Sequence, residues 1–451
     1  MQFSRRTIMK GAAAAGAPMI VPATVFGRNA PSNRITIGAI GVGRISRGHD
    51  LVETMKHDDA QVVAVCDVDT KRLRAGIELV DQTYSGKAGR AYSGTRGYTD
   101  YRELLNDKAI DAVLISTPDH QHAPLAIHAV RAGKDVYLQK PAALTIAEGR
   151  AMADAVKATG RKLQIGSQQR GQTPWPQFHR AVELVRNVRI GQLKHVEVGL
   201  PGDPSGPEAP PMPIPENLNY DAWLGTTPEV YYTEMRVHPQ DSIDGRPGWL
   251  RCEQFGAGMI TGWGTHHVDI AHWGMDMEYS GPVEIWGNAE FPKSGLWDVH
   301  GPFETHARYA NGVTMTISGA LPNGVKFIGD GGWIFVTRSG AVTASDPGGP
   351  QITPLQASDA KILESVIGPN EVHLYKAPEQ HRNWLDAIQD RAPLSAPAEI
   401  GHRACSTCLL HHIAMKTGRR LRWDPQAERF IGDEEANAML ARPARSKYAV
   451  V

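Results

Sequence analysis

The segment Ile35-Thr36-Ile37-Gly38-Ala39-Ile40-Gly41-Val42-Gly43-Arg44-Ile45-Ser46 constrains this 451-residue chain more than any other. An apolar, β-branched run passes into closely spaced glycines and then into a segment of helical character, the pattern of a buried parallel strand turning into a helix. Gly41 permits a tight turn, and Gly43, lacking a Cβ, lets the backbone approach a pyrophosphate resting on the first amides of the helix. Ser46 stands where a third glycine is usual and is small enough for close helix-to-strand packing. One helix length later the apolar run Gln61-Val62-Val63-Ala64-Val65-Cys66 ends in Asp67, 24 residues beyond Gly43. An acid there is placed to accept a hydrogen bond from an adenosine ribose diol, whereas a 2′-phosphate would meet its like charge. The expected cofactor is therefore NAD, with NADP disfavoured.

At this length two or three domains are expected. Lys plus Arg balances Asp plus Glu at 48 each, so no electrostatic footprint for nucleic acid is visible, and four cysteines exclude a disulfide scaffold. At the N-terminus, Ser4-Arg5-Arg6-Thr7-Ile8-Met9-Lys10 precedes a mildly apolar Ala/Gly-rich stretch, resembling a twin-arginine export signal over residues 1–30. That stretch contains Pro18 and Pro22 and is shorter than the roughly 20 apolar residues of a spanning helix. The reading is therefore an exported, periplasmic protein without a membrane span. Outside the cytoplasm free nicotinamide cofactor is scarce. Such a protein is expected to hold NAD tightly and regenerate it within a cycle, or to meet a second substrate that does so.

Beyond a short helical pattern at Asp100 to Leu105, the run Ile110-Asp111-Ala112-Val113-Leu114-Ile115 reads as another buried strand. Its end delivers Ser116, Thr117 and Pro118 to the sheet edge where doubly wound folds bind ligands. A helix closed by Gly133 follows, then the strand Asp135-Val136-Tyr137-Leu138 with Gln139-Lys140-Pro141 at its end. Thr-Pro-x-x-x-His ending at His122, then Ala132-Gly133-Lys134, a strand, and Lys140-Pro141 resemble the Gfo/Idh/MocA family of nicotinamide-dependent oxidoreductases. The resemblance implies a cofactor site of Gly41, Gly43, Arg44, Ile45, Asp67, Ser116, Thr117, Pro118, His122, Gln139 and Lys140, with Lys140 beside the nicotinamide and the substrate hydroxyl. A lysine near a positively charged nicotinamide ring has its own charge disfavoured, which would lower the Lys140 pKa toward a value useful for proton transfer. The family's strand-end motif is Glu-Lys-Pro; here Gln139 replaces the glutamate.

Thr145-Ile146-Ala147-Glu148 reads as a capping box for a helix ending at Gly160, and Leu163-Gln164-Ile165 as the last strand of a Rossmann domain over 34–165. Gln168 and Arg170 are expected to project toward substrate, with surface ion pairing as the competing reading. From 166 to 451 the pattern changes. His195 to Val198 and Val283 to Trp286 alternate with period two, and Asn311-Gly312 joins two strands as a hairpin. The fold class is thus a doubly wound parallel sheet followed by an α+β domain with an open, mainly antiparallel sheet, through which the family resemblance implies a homo-oligomer. Pro201 to Pro215 holds seven prolines and reads as an extended arm or surface loop.

A second cluster is Gly262-Trp263-Gly264-Thr265-His266-His267-Val268-Asp269-Ile270-Ala271-His272-Trp273. On a helix His266, Asp269 and Trp273 share a face. His-His-x-x-Asp could supply metal ligands, but no separate motif completes a set, and no metal is expected. The family instead carries Asp-x-x-x-His-x-x-Asp, whose histidine and second acid match His266 and Asp269. Gly262 occupies the first acid position, so a proton relay through that acid is absent or replaced. The resemblance implies catalysis by Lys140 and His266, with Gln168, Arg170, His267 and Asp269 toward a sugar or cyclitol. Cys405 and Cys408 near His411 and His412 could bind zinc, though a helix packing small residues is the simpler reading. Three functions stay open. One is an oxidoreductase acting on a sugar, cyclitol or glycoside hydroxyl; another is an NAD-dependent glycosidase working by oxidation, elimination and re-reduction. A non-catalytic sensor of dinucleotide or sugar is the third.

Overall fold

The computed structural model describes residues 34–340 and 351–449, and the signal expected over residues 1–30 lies outside them. Strands β1 (Ile35–Ile40), β2 (Ala60–Cys66), β3 (Arg96–Tyr98), β4 (Ala112–Ile115), β5 (Asp135–Leu138) and β6 (Leu163–Ile165) form a wholly parallel sheet in the order β3-β2-β1-β4-β5-β6. Helices cover both faces, which is why β4 is buried along its whole length and reads as an unbroken apolar run. The order reverses between β1 and β4, so their C-terminal ends open a crevice at the topological switch point. The expected local signals are in place: Thr145 Oγ1 accepts from the Glu148 amide at 3.2 Å, and Gly160 closes that helix in the left-handed region.

The second sheet comprises β7 (Leu193–Gly199), β8 (Glu284–Ala289), β9 (Phe303–Arg308), β10 (Thr314–Ser318), β11 (Gly324–Gly329), β12 (Trp333–Val336), β13 (Leu355–Ala357), β14 (Leu421–Asp424) and β15 (Arg429–Phe430). Its order is β13-β12-β11-β7-β10-β9-β8-β14-β15, and the named pairs are antiparallel except β7 with β10. Asn311-Gly312 makes the β9–β10 hairpin, with Gly312 at φ 86°. One face packs on the helices Gly264–Met275 and Ala398–Thr417. The other face carries Trp286, with Arg420 3.7 Å over its ring and His306 stacked at 5.4 Å.

Two connections bind the halves together in a way that linear order hides. Helix Gln380–Ile388 returns to the first sheet, where fully buried Trp384 and Leu385 join Ile37, Val62 and Leu114 in one core. Pro201 to Pro215 forms no helix or strand, as the proline content requires. With the residues that follow, it folds around its own small core of Leu218, Tyr220, Trp223, Tyr232 and Phe255 and lies against the first domain.

Candidate active site

The ends of β1, β2, β4 and β5 surround a cavity of about 380 Å³. Gly41, Gly43, Arg44 and Ile45 line it from the turn after β1, and Asp67 from the end of β2. Ser116, Thr117, Pro118 and His122 follow β4, and Gln139 and Lys140 follow β5. Gly41 has φ 80°, and a Cβ there would stand 2.7 Å from Thr117 Cγ2, so conformation and packing both require glycine. At Gly43 a Cβ would meet nothing within 4 Å, which leaves the backbone bare toward the cavity. Asp67 accepts from the Val42 amide through Oδ2 and the Asp69 amide through Oδ1, each at 2.9 Å. Burial raises its pKa and these amides oppose the rise. A carboxylate has further lone pairs, so Asp67 fixes the glycine turn and can still accept from a diol. Thr117 Oγ1 is buried without a protein partner. Bare backbone, an anchored acid and an unsatisfied hydroxyl in one crevice fit a dinucleotide.

Lys140 lines the same cavity from beyond the end of β5. Its Nζ donates to the carbonyl of Gly262 at 2.8 Å. That carbonyl is available because the helical path breaks here: the His266 amide donates to Trp263 O at 3.0 Å instead of reaching back four residues. Burial pushes the Lys140 amine down to about 8, against the opposing charge of Asp119. Burial likewise pushes Asp119 up to about 7, against the charge of Lys140. Asp119, a first-turn residue of helix Asp119–Arg131, also lines the cavity. No motif points to it, although its place just beyond a strand end is a usable signal. His122 ties the two strand ends together, its ring nitrogens 2.6 Å from Pro141 O and 2.8 Å from Thr117 O. Burial lowers its pKa to about 4, against the pull of those two carbonyls.

Gln139 is explained by a neighbour the sequence does not announce. Its Nε2 donates to both oxygens of Asp50, at 2.8 and 3.1 Å, and its Oε1 accepts from the Lys140 amide at 3.3 Å. Asp50 ends a π-helical turn, Ser46–Asp50, and also accepts from Ser116 Oγ at 2.6 Å. Beyond it, His381 forms a 3.4 Å ion pair with Asp50 and a 2.7 Å contact with Glu379, while stacking on Tyr137 at 4.2 Å. Burial would lower His381, but Glu379 and Asp50 outweigh it and hold the imidazolium up to about 10. A glutamate at 139 would bring a second carboxylate against Asp50; glutamine brings a donor. Among the described residues, His49, Asp50 and His381 are the one group with ligand atoms all within 4.8 Å. With both its nitrogens facing carboxylates, His381 is a bridging cation rather than a ligand.

Several residues expected to touch substrate lie elsewhere. Arg170 is buried in a two-pronged pair with Asp269, Nε to Oδ2 at 2.7 Å and Nη2 to Oδ1 at 2.8 Å, and also reaches Glu278 at 2.7 Å. Ser167 Oγ donates to the same Asp269. The shared face of His266, Asp269 and Trp273 thus points inward, with Arg170 4.8 Å over the Trp273 ring. Neither Arg170 nor Asp269 is placed to hold substrate, because each satisfies the other. His267 is spent on Asn323 Oδ1 at 2.8 Å, and Gln168 lies beside Gly166 and Tyr137. His266 is also absent from the cavity wall. It is buried with Nδ1 unpartnered, and burial, aided by the charges of Arg338 and Lys140, holds it well below the ordinary histidine range. Of the two expected catalytic side chains, only Lys140 reaches the cavity. Cys405 and Cys408 are buried thiols in helix packing, Cys405 Sγ donating to Ala143 O at 3.3 Å.

The crevice has a roof, which local motifs did not foretell. Asn219, Trp223, His238, Trp249 and Leu250 line it from above. This clasp is fastened just past β2 through buried Asp69. Asn217 Nδ2, His238 Nε2 and Arg72 Nη1 donate to Asp69 at 2.9, 3.0 and 2.8 Å. Burial alone would raise Asp69, but these partners hold it below the usual carboxylate range. Backbone bonds add to the seam, Thr70 N to Asn217 O and Asn219 N to Val68 O, each at 2.9 Å. The C-terminal segment closes the remaining edge, with Tyr448 Oη donating to Asp221 at 2.7 Å.

Comparison with known proteins agrees with this architecture. Residues 35–167 match the profile of an oxidoreductase family described as an NAD-binding Rossmann fold, and residues 205–337 and 362–450 match the same family's C-terminal alpha/beta domain. The chain is 34% identical over 132 residues to a glycosyl hydrolase family 109 protein of Shewanella pealeana, covering 29% of this chain and 28% of that one. It is 30% identical over 158 residues to inositol 2-dehydrogenase of Salmonella typhimurium, covering 34% and 42% respectively. The chain thus spans less than half the length of these curated relatives. In fold, it resembles the WlbA dehydrogenase of Chromobacterium violaceum, solved with NADH and UDP-GlcNAcA, with TM-score 0.60, 18% identity and coverage of 88% and 97%. The aldose-aldose oxidoreductase of Caulobacter crescentus is similar, with TM-score 0.57, 18% identity and coverage of 86% and 99%. The chain belongs to the Gfo/Idh/MocA oxidoreductase family, and its first domain is that family's NAD-binding Rossmann domain.

Proposed function

We propose that this chain is an exported, NAD-dependent enzyme that oxidises a hydroxyl of a sugar, cyclitol or glycoside and keeps one cofactor through successive turnovers. The observation that carries this reading is Lys140, set at a strand end in a cavity roofed by a clasp. The glycine turn and Asp67 would hold the dinucleotide, which when bound supplies the acceptor for a carbon-bound hydrogen. Lys140, lowered to about 8 by burial, is partly neutral near neutrality and can take the hydroxyl proton. The Gly262 carbonyl orients its Nζ. Export rests on Ser4 to Lys10, and retention of cofactor is what export of an NAD enzyme requires. The curated relatives act as support for a carbohydrate or cyclitol substrate. The open sheet face bearing Trp286 and Arg420 supports a homo-oligomer. A sensor needs neither a buried lysine nor the carboxylate beside it.

The relatives designated glycosyl hydrolase family 109 favour a specific version. Oxidation acidifies the adjacent C–H, the aglycone is eliminated, water adds, and re-reduction restores the alcohol without net NADH. The test is mass spectrometry of the purified, denatured protein for released NAD, followed by a screen of nitrophenyl glycosides and free sugars. Bound NAD with nitrophenol release and no NADH absorbance is expected. NADH accumulating in step with a free-sugar product would establish an ordinary dehydrogenase, and cofactor-free protein would sink the retained-cofactor reading.

A further inference from the structure

Asp119 begins its helix four residues beyond the end of β4, and Lys140 lies two residues beyond the end of β5, the hydrogen-bonded neighbour of β4. Both side chains line the same cavity without pairing directly, so a proton passing between them would cross an intervening water. Asp119 is only 2% exposed, and its Oδ2 has no hydrogen-bond partner. An acid in a helical first turn is ordinarily a solvated partner of the helix dipole. Here it is buried at the cavity wall with one oxygen unpartnered, an arrangement that costs stability unless the group has another use. The family's acid at position 262 is a glycine in this chain, and the Gly262 carbonyl that holds Lys140 cannot take up a proton.

We propose that Asp119 is the proton partner of Lys140, accepting through Oδ2 the proton that the lysine amine removes from a substrate hydroxyl. This rests on Lys140 being the proton acceptor, as proposed above. The substrate O–H bond breaks as an N–H bond forms on Nζ. That N–H bond then breaks as its proton passes to a bridging water, which gives one of its own protons to Oδ2, leaving neutral amine, water and carboxylic acid. The lysine is thereby free to act on a second proton before the first is returned, which a cycle of oxidation and elimination demands. The return steps reverse these transfers.

The other groups around Lys140 do not compete for the proton. Asp50 is engaged by Gln139 and Ser116, Arg338 is a permanent cation, His122 has both ring nitrogens on carbonyls, and burial makes His266 a weak base. The buried amine and acid are pushed toward one another in proton affinity, which lets the proton move either way.

The test uses the NAD-loaded protein and reads Lys140 directly. Its reaction with an amine-acylating ester is followed across pH by quantifying the modified peptide, in wild type, Asp119→Asn and Asp119→Glu. The carboxylate charge holds the lysine pKa up, so Asp119→Asn should lower the midpoint by about one pH unit, a tenfold change. Asp119→Glu should restore it, with NAD content unchanged throughout. Turnover of an active substrate should fall about 10²-fold in Asp119→Asn and recover in part in Asp119→Glu. An unchanged midpoint would overturn the pairing even in an active enzyme. A shifted midpoint in a protein that turns over no sugar or glycoside would uphold the pairing while the functional reading fails. Should Asp119→Asn not fold, Lys140→Met serves: losing its cation, Asp119 should show a protonated-carboxyl infrared band persisting to higher pH than in wild type. A band that titrates identically in both would also overturn the proposal.

Discussion

Asp67 holds the glycine turn through two amides and is the acceptor proposed for the ribose, so its replacement should report both. Asp67→Ala removes the acceptor proposed for the ribose and also frees the Val42 and Asp69 amides that shape the glycine turn. Loss of hydrogen bonds to a charged group at about 1.5–3 kcal/mol predicts NAD affinity falling tenfold or more, with discrimination against NADP reduced. Calorimetric titration with both cofactors checks this, and an unaltered preference would remove Asp67 from the site. Gln139→Glu is the complementary case. Two carboxylates about 3 Å apart cannot both ionise, so the variant should lose about 3 kcal/mol in urea unfolding. Adding Asp50→Asn should recover most of it, because donor and acceptor have merely changed places. Equal instability of the single and double variants would show that Gln139 matters for another reason.

At the scale of elements, the clasp is expected to govern cofactor exchange. Its seam rests on one buried acid, Asp69, with Asn217 and His238 reaching down from the clasp and Arg72 completing the shell. The double variant Asn217→Ala, His238→Ala leaves the Rossmann sheet untouched and removes two bonds to a charged group. We expect faster NAD release, tenfold for each 1.4 kcal/mol or so lost from the closed state. Gel filtration followed by assay of retained NAD measures it; retention equal to wild type would mean the clasp does not govern exchange.

On the scale of the molecule, the two halves share a core and should unfold together. Trp384 comes from far downstream yet is fully buried in the first domain's core, with its ring centroid 5.8 Å from that of Tyr137. Trp384→Ala should cost about 3–5 kcal/mol and lower the melting of both halves, as read by calorimetry. A surviving independent transition would contradict a shared core. Stability should also depend on pH through His381. Its folded pKa, about 10, is raised above the ordinary 6.5, so its contribution is whole below the lower value and lost as pH climbs through the higher. Asp50 and Glu379 are depressed, so theirs is whole above the ordinary carboxylate range and lost as pH falls below it. The stability gap between wild type and His381→Gln should therefore shrink steadily from neutral pH to pH 10. A constant gap would mean that His381 is neutral in the folded protein.

Features that depend on neighbours along the chain are legible in the residues themselves. The glycine turn, the apolar parallel strands, Asp67 at its distance, the Thr145 cap and the Asn311-Gly312 hairpin are set by local conformation and burial, which short stretches of sequence encode. The same holds for Lys140, because a strand end in a doubly wound sheet has a known place. Which polar groups are consumed is a matter of tertiary packing. Arg170 and Asp269 carry the residue types of a substrate site, yet they neutralise one another 99 positions apart. Gln139 lies against Asp50, at the end of a π-helical turn, where the family's glutamate would meet a second carboxylate. Asp119 can be seen in the sequence as a strand-end acid, but not as buried and unsatisfied. Partner choice among buried charges depends on which distant segments share a dry space, and periodicity along the chain carries no record of that.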